Sequence, residues 1–445
     1  MVQTDSLEFF RKSYRALTDN PEPFPWQEGF FLRLLECDIP RDVVLPTGCG
    51  KTSAMVVWLL ALAYQARNDK EAVSLPRRLV WVVNRRVVVD QATNEAEKLQ
   101  QRLNDKSRDD LEPVRLALRR LSAEGSGDLI GVSTLRGQFA DNAEWREHPA
   151  RPAVIVGTID MIGSRLLFSG YGRGFKSRPL HAGFIGQDAL LVHDEAHLEP
   201  AFQQLIEAVE SEQERRREFR RFRVMALTAT SRGVSENQFT LGDTDRTHGE
   251  IRRRIEAKKG ISFHAVEAEN TIASSVFHYA FEFKDSNQAI LIFLRRVEDV
   301  QDLSSKLQKQ RLQVDQLTGT MRGYERDRMA KTDSIFARFV PDMAIAPVTG
   351  TVYLVCKSAG EVGVNMSADH LVCDLTPFES MTQRFGRVNR FGKGDARIEI
   401  VHPRVGGEPP TKKASQAELE FNHRRERTLA FAMFSERVHL RAFDL

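Results

Sequence analysis

Four short segments hold the residues most able to do chemistry: LPTGCGKTS at 45–53, HDEAH at 193–197, LTAT at 227–230 and QRFGRVNR at 383–390. The first lies between a short apolar strand at Val43–Leu45 and an apolar helix at Ser53–Ala66. Glycines there let backbone N–H groups approach phosphate oxygens, and the N-terminus of the following helix adds a favourable dipole. Pro46, Thr47, Gly48, Cys49, Gly50, Lys51, Thr52 and Ser53 are therefore expected to wrap the phosphates of ATP. Lys51 would reach the β- and γ-phosphates, and the Thr52 hydroxyl would bind Mg2+.

Asp194 ends an apolar strand, a place from which it can hold Mg2+, and Glu195 beside it can polarise the attacking water. His193 and His197 stand four apart, a spacing that also suits zinc. The zinc-protease pattern needs Glu directly after the first His, where this chain has Asp194, and the segment leaves a strand rather than lying inside a helix. His197 is expected instead to couple the site to a second domain. Gln383, Arg384, Arg387 and Arg390 are spaced so that several share one helical face. A guanidinium fork pairs with phosphate oxygens as charge develops in a transition state. Such fingers contribute roughly three to five orders of magnitude in rate in other NTPases. Arg387 and Arg390 are the candidates for that role. Gln27, within Pro25-Trp26-Gln27, has an amide that could pair with adenine N6 and N7; a core or turn glutamine is the alternative.

The elements that must position these groups follow from the apolar runs. Leu79–Val83, Ala153–Val156, Ala189–Val192 and Val224–Leu227 alternate with helical stretches, among them one from about Arg86 to Leu103. The alternation restarts at Ala289–Leu294, Val352–Val355 and His370–Asp374. Continuous apolar strands between helices predict parallel sheets covered on both faces. The expected architecture is α/β, with two tandem domains at 1–255 and 256–445 separated by a polar zone from about Ser231 to Lys259. Residues from about Lys106 to Arg151 read as an irregular insertion with short elements. The arginine runs at Arg215–Arg223 and Arg252–Arg254 suit a solvated helix face mixed with Glu, or a DNA-facing patch.

Bulk properties exclude disordered and fibrous classes. The chain has 445 residues, 41% hydrophobic and 28% charged, enough for two cores. A net charge of +3 hints only weakly at a polyanionic partner. The four cysteines, Cys37, Cys49, Cys356 and Cys373, are scattered, and one lies in the glycine loop, which implies a reducing compartment. The N-terminal residues do not form a signal peptide, and the apolar run around Ala54–Tyr64 is too short to span a bilayer. A cytoplasmic protein without membrane partners is expected.

With these residues in view, the chain resembles the superfamily 2 helicases over residues 20–400. More closely it resembles the helicase part of the CRISPR type I effector helicase–nuclease, through VVNRRVVVDQ (82–91), STLRGQ (133–138), VGTIDMI (156–162), LTGTMRGYERDR (317–328) and AGEVGVNMSADHLVCDLTPFESMTQRFGRVNRFG (359–392). Leu45-Pro46-Thr47 in place of the usual first loop glycine is typical of superfamily 2 and argues against kinases and small GTPases.

The resemblance implies two tandem RecA-like domains, each a mostly parallel sheet with helices on both faces, and a nucleotide cleft between them. It also implies ATP-dependent 3′ to 5′ translocation on single-stranded DNA opened by a CRISPR guide-RNA surveillance complex. By motif, Arg85, Arg86 and Gln91 carry over to strand contact and domain positioning, and Thr158 and Asp160 to strand contact. Thr228 and Thr230 match the segment coupling hydrolysis to domain movement, and Arg384 is grouped with these coupling residues. Glu361, Gly363 and Asn365 match the segment between nucleotide and nucleic acid, with Asn365 on the nucleotide side. Lys357 stands where threonine is usual and Asn365 where aspartate is usual, changes that bear on coupling more than on ATP binding.

The family's nuclease needs a His-Asp dyad, and the one adjacent His-Asp pair here, His193-Asp194, belongs to the ATP site. The chain is therefore expected to lack DNA cleavage, the nuclease being a separate subunit or a further domain. An RNA helicase of the same superfamily and a recruitment module that uses ATP only as a clamp are the competing readings.

Overall fold

A computed structural model describes residues 2–67, 73–84, 86–122, 127–135, 144–171, 174–229, 237–318, 334–340, 346–357, 366–404 and 415–438. The chain divides into two compact units, Met1–Arg252 and Arg253–Leu445.

Unit 1 is built on seven strands: β1 (Asp42–Val44), β2 (Arg78–Val83), β3 (Gly131–Leu135), β4 (Ala153–Thr158), β5 (Ala189–Asp194), β6 (Arg223–Thr228) and β7 (Gln238–Thr240). They lie in the order β3-β4-β2-β5-β6-β1-β7, every pair parallel. RLVWVV in β2 and AVIVGT in β4 are buried at every position, as a strand covered on both faces must be. One covering face packs Val80, Val82, Ile155 and Leu191 against Ile162, Leu166, Phe184 and Ile206 of the helices that follow the strands. The helix Ala54–Ala66 has eleven buried residues and sits as a core element behind the glycine loop.

Two segments that look irregular in sequence are structural. Residues 106–151 supply the edge strand β3 and the helix Glu112–Leu121, whose apolar face buries Val114, Ala117, Leu118 and Leu121. The polar zone supplies β7, which closes the other edge of the sheet beside β1. In the arginine run at 215–223, Arg215 and Arg216 pair with Glu212, Arg220 with Asp188, Arg221 with Glu214 and Arg223 with Glu210.

Unit 2 holds β8 (Lys259–Val266), β9 (Ala289–Phe293), β10 (Gln313–Leu317), β11 (Val352–Cys356), β12 (His370–Asp374) and β13 (Ala396–Pro403), in the order β10-β11-β9-β12-β13-β8, again all parallel. Side chains alternate across the sheet with period two. Leu291, Phe293, Leu354, Leu371 and Cys373 face one core with Phe336 and Met366. Ile290, Ile292, Tyr353, Val355 and Val372 face the other, against Val276, Val300 and Leu303. No helix among the described residues is long and apolar enough to cross a membrane.

Candidate nucleotide site and arginine turn

Parallel sheets present their functional loops at the carboxyl ends of the strands, and β1, β5 and β6 are adjacent in unit 1. Leu45 N–H still donates to Thr228 O (3.0 Å), after which the chain leaves β1 into the glycine loop. Gly48 (φ +93°) and Gly50 (φ +80°) adopt positive-φ backbone that a side chain would strain, as a tight phosphate-type loop requires. Lys51–Ser53 forms a single 3-10 turn before the helix proper begins at Ala54.

Across the loop, β5 delivers Asp194 and Glu195. The Lys51 ammonium donates to Glu195 Oε1 at 3.1 Å, both side chains largely shielded. Glu195 itself has φ +55° and ψ +44°, a conformation that L-residues adopt at some strain. Burial, reinforced by the neighbouring Glu195 carboxylate and opposed by Lys51, pushes the Asp194 carboxyl up to about 7. His197 Nδ1 lies 3.2 Å from Thr228 Oγ1 and 3.4 Å from Glu195 Oε2, so one imidazole connects the β5 and β6 loops.

His193 turns the other way. Its Nδ1 pairs with Gln203 Oε1 (2.8 Å), its ring packs edge-on to Phe202, and burial holds its pKa below the ordinary value. His193 and His197 thus have separate partners, and no group of three metal-ligating side chains occurs among the described residues. The arrangement does not suit zinc.

The expected adenine reader is engaged within the chain. Gln27 is 1% exposed. Its Oε1 accepts from Phe24 N–H (2.8 Å), a helix-capping bond, while its Nε2 donates to Ser53 Oγ (2.6 Å), which in turn donates to Gly50 O (2.7 Å). Gln27 therefore braces the phosphate loop, and an adenine contact would require these bonds to be exchanged.

Two residues that motif reasoning did not assign join the site. Trp26 Nε1 donates to Cys49 O at 3.1 Å, and Trp26 N–H donates to Asp245 Oδ1 at 2.6 Å. The second bond spans 219 positions; Asp245, 3% exposed, also caps its own helix by accepting from Gly242 N–H (3.0 Å). Nothing local in the polar zone announces that contact, although a buried-type Trp beside the glutamine was a usable signal for the first.

Of the other motif residues in unit 1, Thr158 caps the helix Ile159–Leu166, its Oγ1 accepting from Met161 N–H (3.4 Å), and Asp160 is exposed in the first turn. Gln91 is half-buried on the helix Arg86–Asn104, and Thr93 Oγ1 meets Thr134 Oγ1 at 3.0 Å, linking that helix to β3. Arg85, Thr230, Glu361, Gly363 and Asn365, with the Arg86 side chain, lie outside the described residues. Lys357 follows β11, half-buried, with its N–H on Leu317 O (3.2 Å).

In unit 2 the expected single helical face over 383–390 is not formed. The helix runs Phe378–Phe385 and closes at Gly386, so Gln383 and Arg384 are helical while Arg387 and Arg390 follow in a turn. That turn includes a one-residue bridge, Ala368 opposite Val388, with Ala368 N–H on Arg387 O and Asn389 N–H on Ala368 O (both 2.8 Å). The helix stops at Gly386, and Asn389 beyond it is held at φ +43°, outside helical backbone. Arg384 is 2% exposed, donates from Nη1 to Asp374 Oδ1 (2.9 Å) and Asp374 O (2.7 Å), and lies over the Phe293 ring at 4.9 Å. Such a guanidinium ties the helix to β12 and β9.

With the geometry in hand, comparison with known proteins can be stated. Residues 39–232 match the family model of the type III restriction enzyme res subunit, and residues 286–393 match that of the CRISPR-associated nuclease/helicase Cas3, C-terminal. No curated protein matches the sequence. Among solved structures, T. fusca Cas3 with AMPPNP is 14% identical with a TM-score of 0.64, over 95% of this chain and 50% of that one. The Escherichia coli DEAH/RHA helicase HrpB is 14% identical with a TM-score of 0.52, over 86% and 43%. The DEAD-box helicase Mss116 bound to ssRNA and UDP-BeF is 18% identical with a TM-score of 0.55, over 87% and 72%. This chain thus spans about half the length of the Cas3 chain it matches. Two parallel-sheet units, a glycine loop and a family-model match in each unit make this an α/β protein with tandem RecA-like domains, a superfamily 2 helicase fold that resembles the helicase part of Cas3.

Proposed function

We propose that the chain is an ATP-dependent translocase or helicase that moves on single-stranded DNA in a type I CRISPR setting, with a nuclease supplied by another domain or subunit. The observation that carries the ATPase part is the Lys51–Glu195 pair between the left-handed glycine loop and the strand end of β5. A cation reserved for a triphosphate and a carboxylate reserved for water neutralise each other until a nucleotide enters and takes Lys51. Glu195 is then released to orient and deprotonate water, and His197 senses the change because it touches both Glu195 and Thr228. The donor set fits Mg2+: Thr52 and Asp194 would hold it, and the ion would neutralise charge on the transferring phosphoryl group. Arg387 and Arg390 would supply the guanidinium groups that meet developing charge. The choice of DNA, the 3′ to 5′ direction and the guide-complex partner rest on the motif resemblance, supported by the family-model match in unit 2.

ATPase turnover measured with single-stranded DNA, single-stranded RNA and no polymer tests this reading. Strong stimulation by DNA is expected. Equal or greater stimulation by matched RNA would move the assignment to an RNA helicase, since only the 2′-hydroxyl distinguishes the two backbones. Turnover limited to a single round would leave a recruitment module that uses ATP as a clamp.

A further inference from the structure

The segment that opens unit 2 is bonded at several points to the turn carrying Arg387 and Arg390. Lys259 Nζ donates to Phe385 O (2.9 Å), the final carbonyl of the helix before the turn. Asn389 Nδ2 donates to Lys258 O (3.1 Å) and to Gly394 O, and Gly394 N–H returns to Asn389 Oδ1 (3.3 Å). Arg253 Nε donates to Phe391 O (3.0 Å), and Arg254 lies over the Phe391 ring at 5.6 Å. Gly392 (φ +63°) passes so close that a Cβ there would stand 2.0 Å from Arg253 O. Backbone contact of that kind leaves no room for any side chain.

We infer that residues 253–259, the first of the chain after the division between the units, are a brace that sets the position of the arginine turn, with Lys259 and Gly392 as its positioning residues. The inference rests on the proposed role of Arg387 and Arg390 only for its catalytic consequence, not for the brace itself. The Lys259 ammonium gives Phe385 O a second donor beside Val388 N–H (3.3 Å) and opposes the negative end of the helix dipole. Burial, with nearby Arg390 acting the same way, lowers the Lys259 pKa to about 8.

Hydrogen exchange gives a readout that does not depend on catalysis. In the intact chain, Lys259→Met and, separately, Gly392→Ala should raise exchange of the 386–392 amides by about tenfold, the loss of roughly one charge-assisted hydrogen bond. Strands β9 and β12 should keep wild-type protection, and Lys259→Arg should recover most of the lost protection. Steady-state ATPase should show kcat falling with the ATP KM nearly unchanged. Unchanged exchange at 386–392 overturns the brace, as does loss of protection spread over β9 and β12, which would make Lys259 a general stabiliser of the fold. A local loosening with normal kcat, while Arg387→Ala abolishes turnover, also overturns it. If Arg387→Ala itself leaves turnover intact, the catalytic reading of the turn fails and the exchange result alone decides the brace.

Discussion

At the scale of single residues, the proposed roles of Lys51 and Glu195 separate binding from chemistry. Glu195→Gln should retain ATP binding and reduce turnover by about two to four orders of magnitude, the range for loss of a general base. Lys51→Ala should lose binding as well, so equilibrium titration with a fluorescent ATP analogue distinguishes the two variants. Trp26→Phe removes the indole N–H that holds Cys49 O, together with part of a buried ring. A weaker phosphate loop is expected, with ATP affinity reduced by about 0.5–1.5 kcal/mol, the net worth of one hydrogen bond. Asp245→Ala strands the Trp26 N–H in a buried position. It should destabilise the chain by about 1–3 kcal/mol in urea unfolding, and a normal unfolding midpoint would contradict the contact. These residues differ in how readily the sequence reveals them. Lys51, Asp194 and Glu195 announce themselves because their chemistry dictates neighbours one or two positions away. Asp245 does not, because its partner is set by the path of the chain and not by any local pattern.

Elements were legible to the extent that their burial is periodic. The largely apolar strands β2, β4, β5 and β9 stand out because both faces are covered. Strand β8, with its alternating exposed and half-buried positions, sits at a sheet edge and resembles the polar zone that precedes it. Strand β7 has only three residues and is fixed by its pairing with β1 rather than by composition. The arginine segment was misjudged as one helix because spacing alone cannot see a stop, though Gly386 is a natural place for one.

Strand β12 carries a pH-sensitive element. His370 accepts Arg397 N–H at Nδ1 (2.9 Å), pairs through Nε2 with Gln288 Oε1 (2.7 Å) and stacks on Phe283. An accepting Nδ1 requires the neutral ring. Burial lowers its pKa, with Arg397 acting the same way while Asp369 and Glu399 oppose. The unfolded imidazole binds its proton near pH 6.5, the folded one only at lower pH. Stability from this group is therefore complete above about pH 6.5 and declines as pH falls from there towards the native value. Urea unfolding at pH 7.5 and pH 5 should show the decline, and His370→Asn should reduce the slope.

At the scale of the molecule, ligand binding should register as stability. A nucleotide that binds only the folded site adds RT ln(1 + [L]/Kd), about 2.7 kcal/mol at a hundredfold excess over Kd. A non-hydrolysable ATP analogue should raise the melting temperature of the wild-type chain and leave Lys51→Ala unmoved. Binding to single-stranded DNA should weaken steeply with salt, with a log–log slope reflecting the number of phosphates held; a flat response would contradict backbone-directed contact.

One feature of the unit 1 sheet bears on how the protein is made. Strand β1, which presents the glycine loop, pairs among the described residues with β6 and β7. Its nearest partner begins at Arg223, so about 180 residues must emerge from the ribosome before β1 can pair. At roughly 5–20 residues per second that is a wait of roughly 10–35 s with an unpaired apolar edge. The nascent chain should accordingly depend on chaperones through this interval, and synonymous codons that slow translation between β1 and β6 should lower soluble yield without altering a single amino acid.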